Sequence, residues 1–328
     1  MAWREFEAGK GMKADVQKFK IDLVNSLFAL GEDLRLGNYR HGGYYRFVVY
    51  DPKRRQIHKA TVRDRVLHHA LFRVLSPIFD KLFIFDSYSC RVGKGTHRGV
   101  VRLADFIRRA THNYRRPAYA LKLDIKKFFD SIDHRILFEL IKRRVADADA
   151  LRLIRLIISS FETAPQKGLP LGNVTSQLFA NIYLNELDQF VKHILREKLY
   201  LRYADDFVIV HESREYLEAL ILKLSNFLGE SLRLELHPQK IILRKVSHGV
   251  DFLGYVVLPH YTVLRTKTKK RVLKKIEVLR RNLSAGIITP ESFNQSIQSY
   301  LGMLAHCKGF AVRRMILRGV AANLQKQF

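Results

Sequence analysis

Two adjacent carboxylates, Asp205 and Asp206, lie between apolar, β-branched and aromatic segments in the run 199–211. That pattern predicts a hairpin whose turn carries Tyr203-Ala-Asp-Asp206. Neighbouring acids repel one another, and a bare turn relieves this with Gly or Asn. A divalent cation would justify the pair, although on its own it reads equally well as a solvated turn. A third acid tips the choice. Asp124 closes the segment Tyr119-Ala-Leu-Lys-Leu-Asp124, where Tyr119, Leu121 and Leu123 alternate with Ala120, Lys122 and Asp124 as in a half-buried strand. Pairing the two strands would set Asp124 against Asp205 and Asp206. Three carboxylates holding two Mg2+ ions about 3.5–4 Å apart serve in-line phosphoryl displacement. One ion activates an attacking 3′-hydroxyl, and the other holds a triphosphate and its leaving pyrophosphate. Mg2+ keeps its waters and takes few carboxylates, which suits so small a set; Mn2+ is the alternative ion.

The elements that must hold these acids belong to a chain of 328 residues with 58 Lys and Arg against 31 Asp and Glu, a net charge of +27. So large an excess, with ordinary apolar content, suits a folded protein bound to a polyanion. A purely structural RNA binder would share the charge but would not need the three acids. The two cysteines, Cys90 and Cys307, are far apart and make neither a disulfide framework nor a zinc site. The opening residues lack a signal-peptide core and no run is long enough to span a bilayer. The expectation is a cytoplasmic protein of bacterial, archaeal or phage origin that does not engage a membrane.

Val16, Phe19, Leu23, Leu27 and Leu30 predict one helix ending before Gly37, then a strand over 45–50, a basic turn over 51–56 and a helix over 62–75. Lys53, Arg54, Arg55, Lys59, Arg63 and Arg65 are candidates for phosphate or template contacts, with Arg55 the choice for an incoming nucleotide. Gly93-Lys94-Gly95 lacks Walker spacing but could cradle a phosphate before a helix. His58, His68, His69, His97, His112 and His134 show no metal-ligand spacing and read as packing residues. Further on, helices are expected around 136–141 and 151–158. A glycine-containing loop over 166–177 leads into a long helix, and another helix covers 217–228. Strands are expected over 232–236 and 250–257. From residue 262 the pattern becomes basic and helical: Val272, Ile276, Leu279 and Leu283 line one face, Lys274 and Lys275 lie elsewhere, and Thr289-Pro290 opens a second helix.

The series Asp124-Ile-Lys-Lys-Phe-Phe129, Gly168-Leu-Pro-Leu-Gly172 with Ser176-Gln177, Tyr203-Ala-Asp-Asp206, Lys240 and Phe252-Leu-Gly-Tyr255 resembles the palm motifs of reverse transcriptases, in the same order. The resemblance covers nearly the whole chain. It implies an α+β right-hand fold that copies RNA into DNA, with fingers over 1–118 and part of 140–170, a palm over 119–260 and a basic helical thumb over 261–328. Carried over residue by residue, it implies that Asp124, Asp205, Asp206 and the Ile125 carbonyl ligate metal, and that Lys240 acts as general acid toward pyrophosphate. It places the dNTP against Arg55, Lys126, Lys127, Phe128, Phe129, Leu171, Gly172 and Gln177, with Phe129 the gate against a ribose 2′-hydroxyl. Template and duplex would meet Lys53, Arg63, Arg91, Lys94, Tyr203, Lys274 and Lys275.

Group II intron enzymes carry Pro-Gln-Gly and Ser-Pro where this chain has Pro170-Leu171-Gly172 and Ser176-Gln177. The string Leu171-Gly-Asn-Val-Thr-Ser-Gln177 is similar instead to reverse transcriptases of diversity-generating retroelements, as are Ser89-Cys90-Arg91 and Gly95-Thr96-His97. That resemblance implies error-prone copying at template adenines (mutagenic retrohoming) and a small basic accessory protein beside the template RNA, the RNA–DNA duplex and dNTPs. Ala204 stands where relatives commonly carry Met. Two other readings compete: an intron-type enzyme without maturase and endonuclease regions, and a non-catalytic RNA chaperone on the same fold.

Overall fold

The computed structural model of the chain describes residues 1–50 and 54–324, with side chains as far as residue 317. Three helices open it, α1 (Ala2–Glu7), α2 (Ala14–Ile21) and α3 (Leu23–Arg35). The apolar series that predicts a single helix is broken at Asp22, whose backbone (φ −117°, ψ 43°) leaves the helical region. β1 (Tyr44–Val49) and β2 (Arg55–Ala60) pair antiparallel, Tyr44 opposite Ala60 and Val49 opposite Arg55. α4 (Val62–Asp80) starts at Thr61, whose hydroxyl accepts from the Asp64 N–H and so satisfies one of the helix's free donors. Asp64 is itself buried and accepts from Tyr39 Oη at 2.8 Å and from the Gly42 N–H at 3.0 Å.

α5 (Thr96–Ala110) is followed by β3 (Tyr119–Asp124), a single turn α6 (Phe128–Ser131), and α7 (His134–Lys142) and α8 (Ala148–Ser159), each of the last two capped by an aspartate, Asp133 and Asp147. α9 (Val174–Gln189) is buried on most of its circumference and continues as a π-helical turn to Ile194. Then come β4 (Tyr200–Tyr203), β5 (Asp206–His211) and α10 (Arg214–Leu232). The remaining elements are β6 (Ile242–Lys245), β7 (Val250–Phe252), β8 (Tyr255–Val257), β9 (Thr262–Leu264), α11 (Thr266–Ser284), α12 (Pro290–Leu304) and α13 (Phe310–Leu324). Strand order in the four-stranded sheet is β4-β5-β3-β6. Among the described residues no helix is long and apolar enough to cross a membrane.

The chain forms two compact units: Met1–Lys94 with Leu123–Phe207 and Leu220–Ile241, and Gly95–Lys122 with Val208–Ala219 and Ile242–Phe328. In the first, α4 packs on α1 and α9, and α7 on α8 and α9. Leu75, Phe79, Phe179, Tyr183 and Leu187 are among its core residues. The alternating segment 232–236 is not a strand here. Arg233 takes a left-handed φ of 52°, and the N–H groups of Arg233 and Leu234 return to Gly229 and Leu228, so these residues close the end of α10. Local hydrogen bonding outweighs alternation, and only Leu236 bridges to Ile125.

In the second unit, Tyr119–Lys122 pairs antiparallel with β6, Tyr119 opposite Lys245 and Lys122 opposite Ile242. The run 250–257, expected as one strand, is a hairpin. Leu253 (φ 51°) and Gly254 (φ 89°) turn it back on itself, and β9 extends it to three strands. Leucine in the left-handed region is costly, and pairing on both sides of the turn outweighs that cost. Val272, Ile276, Phe293, Ile297, Leu304 and Ile316 make the core of α11, α12 and α13, and Tyr255 Oη donates to the Met303 carbonyl at 2.9 Å.

Candidate active site

The turn between β4 and β5 is fixed from beneath. Arg202 points into the protein and is fully buried, as is Asp188 on α9. Its guanidinium grips that carboxylate in bidentate fashion, Nη2 to Oδ2 at 2.6 Å and Nε to Oδ1 at 2.8 Å. It also donates to Asn181 Oδ1 and Ser87 Oγ, both at 3.2 Å, while Tyr200 Oη donates to Asp188 at 2.6 Å. A buried ion pair costs heavily in desolvation, and this one offsets the cost by bidentate geometry and added hydrogen bonds. The remaining contact is to the site: Arg202 Nη1 donates to the Ala204 carbonyl at 3.1 Å. Ala204 holds a left-handed φ of 52°, which a side chain tolerates poorly, so the turn is imposed by what lies under it.

On that turn Asp205 faces Asp124. The Ile125 N–H donates to the Asp205 carbonyl at 3.3 Å, which ties the end of β3 to the turn. On the other flank His237 N–H donates to the Asp124 carbonyl at 2.8 Å and Lys126 N–H to the Glu235 carbonyl at 2.9 Å. Lys240, on a single 3-10 turn begun by Pro238, reaches Asp124 Oδ1 with Nζ at 2.5 Å. Burial first, and the Asp124 charge second, raise the Asp205 carboxyl above its ordinary range, against the opposing pull of Lys240 and Arg55.

Two carboxylates brought into mutual repulsion at a half-buried site are the oxygen donors a hard divalent cation takes. Of the three expected acids the geometry pairs Asp124 with Asp205; among the described residues no group of three or more His, Cys, Asp or Glu is gathered as a metal cluster. Asp205 lies in the turn and Asp206 opens β5.

Beside the acids is a cleft of about 670 Å³ walled by Arg46, Arg54, Arg55, His58, Lys127 and Leu171. Its far wall is held to β2, since the His58 N–H donates to the Leu171 carbonyl at 2.9 Å and Asn173 Nδ2 to the His58 carbonyl at 3.2 Å. Gly172 is required by closeness: with φ 116°, a Cβ there would stand 2.8 Å from Ile57 Cγ2. Of the expected nucleotide contacts, Arg55, Lys127 and Leu171 line this cleft. Phe129 is half-buried beside it, edge-on to Phe128 at 5.4 Å. Gly172 and Gln177 follow Leu171 in the loop and helix, are exposed and do not line the cleft. Phe128 corrects the expectation, because its ring is 2 % exposed and serves the core. Lys126 is exposed and paired to Glu235 at 2.7 Å.

The basic candidates divide similarly. Arg91 is withdrawn from any phosphate role: its guanidinium holds Asp80 at 2.6 Å and the Ile84 and Ser87 carbonyls, bracing the loop after α4. Lys94 donates to the Phe85 carbonyl at 2.7 Å and sits over the Phe85 ring. Arg63 pairs with Asp33 and stacks on Tyr39. Tyr203 is half-buried at the end of β4, and Lys274 and Lys275 are exposed on α11. Lys53 lies outside the described residues. Sequence reasoning missed Asp188 and Arg202. Their signal was an arginine within an apolar strand and an aspartate on an apolar helix.

Residues 51–257, more than half of the chain, match the family model for reverse transcriptase (RNA-dependent DNA polymerase). Protein YkfC of Escherichia coli K12 is 28% identical over 279 residues, covering 71% of each chain. The group II intron-encoded protein LtrA of Lactococcus lactis is 25% identical over 299 residues, 69% of this chain and 49% of that one, so the chain spans about half of LtrA's length. Among solved structures, telomerase from Candida albicans superposes with a TM-score of 0.55 at 13% identity, over 86% of this chain and 54% of that one. The fold is the right-hand polymerase fold.

Proposed function

The chain belongs to the reverse transcriptase (RNA-dependent DNA polymerase) family, a class of nucleotidyltransferases, and from that premise we propose that it copies a template RNA into cDNA at the Asp124–Asp205 site. The observation that carries this reading is the placement of Asp205 against Asp124, where the Ile125 N–H ties the end of β3 to the Asp205 carbonyl at 3.3 Å and Lys240 Nζ holds Asp124 Oδ1 at 2.5 Å; divalent cations would relieve the repulsion between the two carboxylates. Two Mg2+ or Mn2+ ions held by Asp124, Asp205, Asp206 and the Ile125 carbonyl would lower the pKa of the primer 3′-hydroxyl and neutralise triphosphate charge.

The chain's own residues do the rest. Arg55, exposed at the mouth of the cleft, meets the triphosphate. The Lys240 ammonium balances Asp124 and can pass a proton to the departing pyrophosphate oxygen. The Phe129 ring closes the space beneath the sugar, so that a 2′-hydroxyl clashes. Exposed Lys274 and Lys275 on α11 meet phosphates of the primer–template. In this reading 1–118 with part of 140–170 acts as fingers, 119–260 as palm and 261–328 as thumb.

Within the family, the string Leu171-Gly-Asn-Val-Thr-Ser-Gln177 supports a diversity-generating retroelement enzyme working in the cytoplasm with a small basic accessory protein. The intron-encoded relatives support a common lineage with group II enzymes. Primer extension on an RNA template with dNTPs tests the proposal, with Asp205→Asn as control. RNA binding without extension by the parent would leave only the chaperone reading.

A further inference from the structure

In the second unit the chain between α5 and β3 passes through three successive left-handed residues, His112 (φ 47°), Asn113 (φ 58°) and Tyr114 (φ 66°). Residues with side chains seldom adopt that region singly, and bulky ones least of all. The path is held by Thr111. Its hydroxyl accepts from the Tyr114 N–H at 3.0 Å, and its carbonyl accepts from the N–H groups of Arg115 and Arg116, both at 2.9 Å. The Asn113 N–H returns to the Arg108 carbonyl at 2.8 Å. The outcome of this bracing is the placement of one ring, since Tyr114 packs on His260 with centroids 4.3 Å apart at 57°.

A cavity of about 170 Å³ opens beside the two rings, between Arg116, Pro117, Lys245 and Pro259. His260 is exposed and Tyr114 half-buried, so an aromatic surface remains accessible at the cavity mouth. Arg116 and Lys245 line it and are exposed, their chain neighbours Arg115 and Arg244 are exposed as well, and none of the four forms an ion pair among the described residues. Glu212, the acid that senses Arg116, is committed to His112 Nε2 at 2.9 Å. Aromatic rings set among unpaired cations, over a cavity, are the means by which proteins hold single-stranded nucleic acid: bases stack, and phosphates meet the charges.

We propose that this pocket is a subsite for single-stranded RNA, with one base stacked on the His260–Tyr114 pair and the adjoining phosphates on Arg116 and Lys245. None of the residues assigned to nucleotidyl transfer lines this pocket. An acidic protein would use the cations but would leave the ring pair and cavity without a role. The inference rests on the template-copying reading only for the choice of RNA as polymer, and its test needs no polymerisation.

The test uses the full chain and a fluorescent oligouridylate about 12 nucleotides long, within the span such sites cover. Anisotropy is measured over a salt series, and a 4-thiouridine version is photocrosslinked and mapped by mass spectrometry. His260→Ala should weaken binding at least about fivefold and abolish a crosslink to Tyr114 or His260, while extension of a short pre-annealed primer–template stays unchanged. Arg116→Gln with Lys245→Gln should reduce the salt slope by about 1.4, at roughly 0.7 per phosphate contact on a single strand. His260-dependent binding by a protein that cannot extend primers would support the subsite and sink the polymerase reading instead. Unchanged affinity in His260→Ala, with crosslinks elsewhere, overturns the proposal. So does weakening by the charge variant alone, which would make the pocket a plain phosphate patch.

Discussion

Lys240 Nζ stands 2.5 Å from Asp124 Oδ1, and burial first, with that same Asp124 second, raises the carboxyl of Asp205 across from it. One carboxylate thus has an ammonium as its counter-charge, while the other bears the repulsion. Charge is balanced unevenly, and the two acids should respond differently when a neighbour is removed.

Removing the ammonium should impair the chemical step more than substrate binding. Lys240→Met is expected to lower the rate of single-nucleotide incorporation by about 10²–10⁴, the range of a general acid, with Kd for dNTP changed little. Lys240→Arg should recover part of the rate, because charge and reach are kept. Pre-steady-state incorporation separates the two quantities. A variant with normal rate and weakened dNTP binding would move Lys240 from proton donor to phosphate anchor.

Asp205 makes a prediction about pH. Its folded carboxyl is raised, so the fold favours the protonated form. The stability it contributes is complete below the ordinary aspartate range and is lost as pH rises through the raised value. Metal-free protein at neutral pH therefore carries a penalty that Asp205→Asn removes. The variant should be inactive yet melt about 1–3 °C higher than the parent at pH 7, with the gap closing in acid. Mg2+ should raise the parent's melting temperature more than the variant's. Thermal melts with and without Mg2+ across pH would show this, and a variant that melts lower throughout would contradict it.

The buried pair below the turn should behave in the opposite sense. Asp188→Asn leaves the Arg202 guanidinium buried without its counter-charge and should cost about 3–5 kcal/mol of stability. Replacing both by leucine should recover much of that, since apolar burial avoids the desolvation cost, yet the Ala204 carbonyl would lose its donor and activity should stay low. Denaturant unfolding paired with primer extension distinguishes stability from turn geometry. Full activity in the double variant would show that the turn needs no support.

Part of this arrangement could be read from residue order. The acids at 124 and 205 announce themselves because an ionised group ending an apolar strand needs a reason, and Arg55 stands out at the end of a basic turn, whereas Lys240 entered only through the family resemblance. Arg202 and Asp188 stayed hidden, because a buried ion pair is a relation between elements that alternation along one strand cannot reveal. The segment 232–236 alternates like a strand but ends a helix, since the left-handed Arg233 returns two N–H groups to α10. Arg91 looked like a surface cation, and only the loop folded around it shows that its donors are spent. Charge and period were legible, whereas partnership across the fold was not.

The last prediction concerns fidelity. Leu171 lines the cleft beside Arg55, and the resemblance to group II intron enzymes matches it to a glutamine of theirs. Its carbonyl is held by the His58 N–H at 2.9 Å, and Gly172 lies against Ile57, so the backbone here is fixed from both sides. Exchanging the side chain should therefore alter the wall's chemistry without moving the wall. A glutamine offers the incoming nucleotide a hydrogen bond worth about 0.5–1.5 kcal/mol, whereas leucine offers only apolar contact. A tenfold change in error rate needs about 1.4 kcal/mol, so one contact is enough to matter. The parent should misincorporate often opposite template adenine, and Leu171→Gln should do so several-fold less. Sequencing cDNA made by both proteins on one RNA decides the matter. A low and base-independent error rate in the parent would remove the retroelement reading, and a variant that loses activity without gaining accuracy would make Leu171 a packing residue.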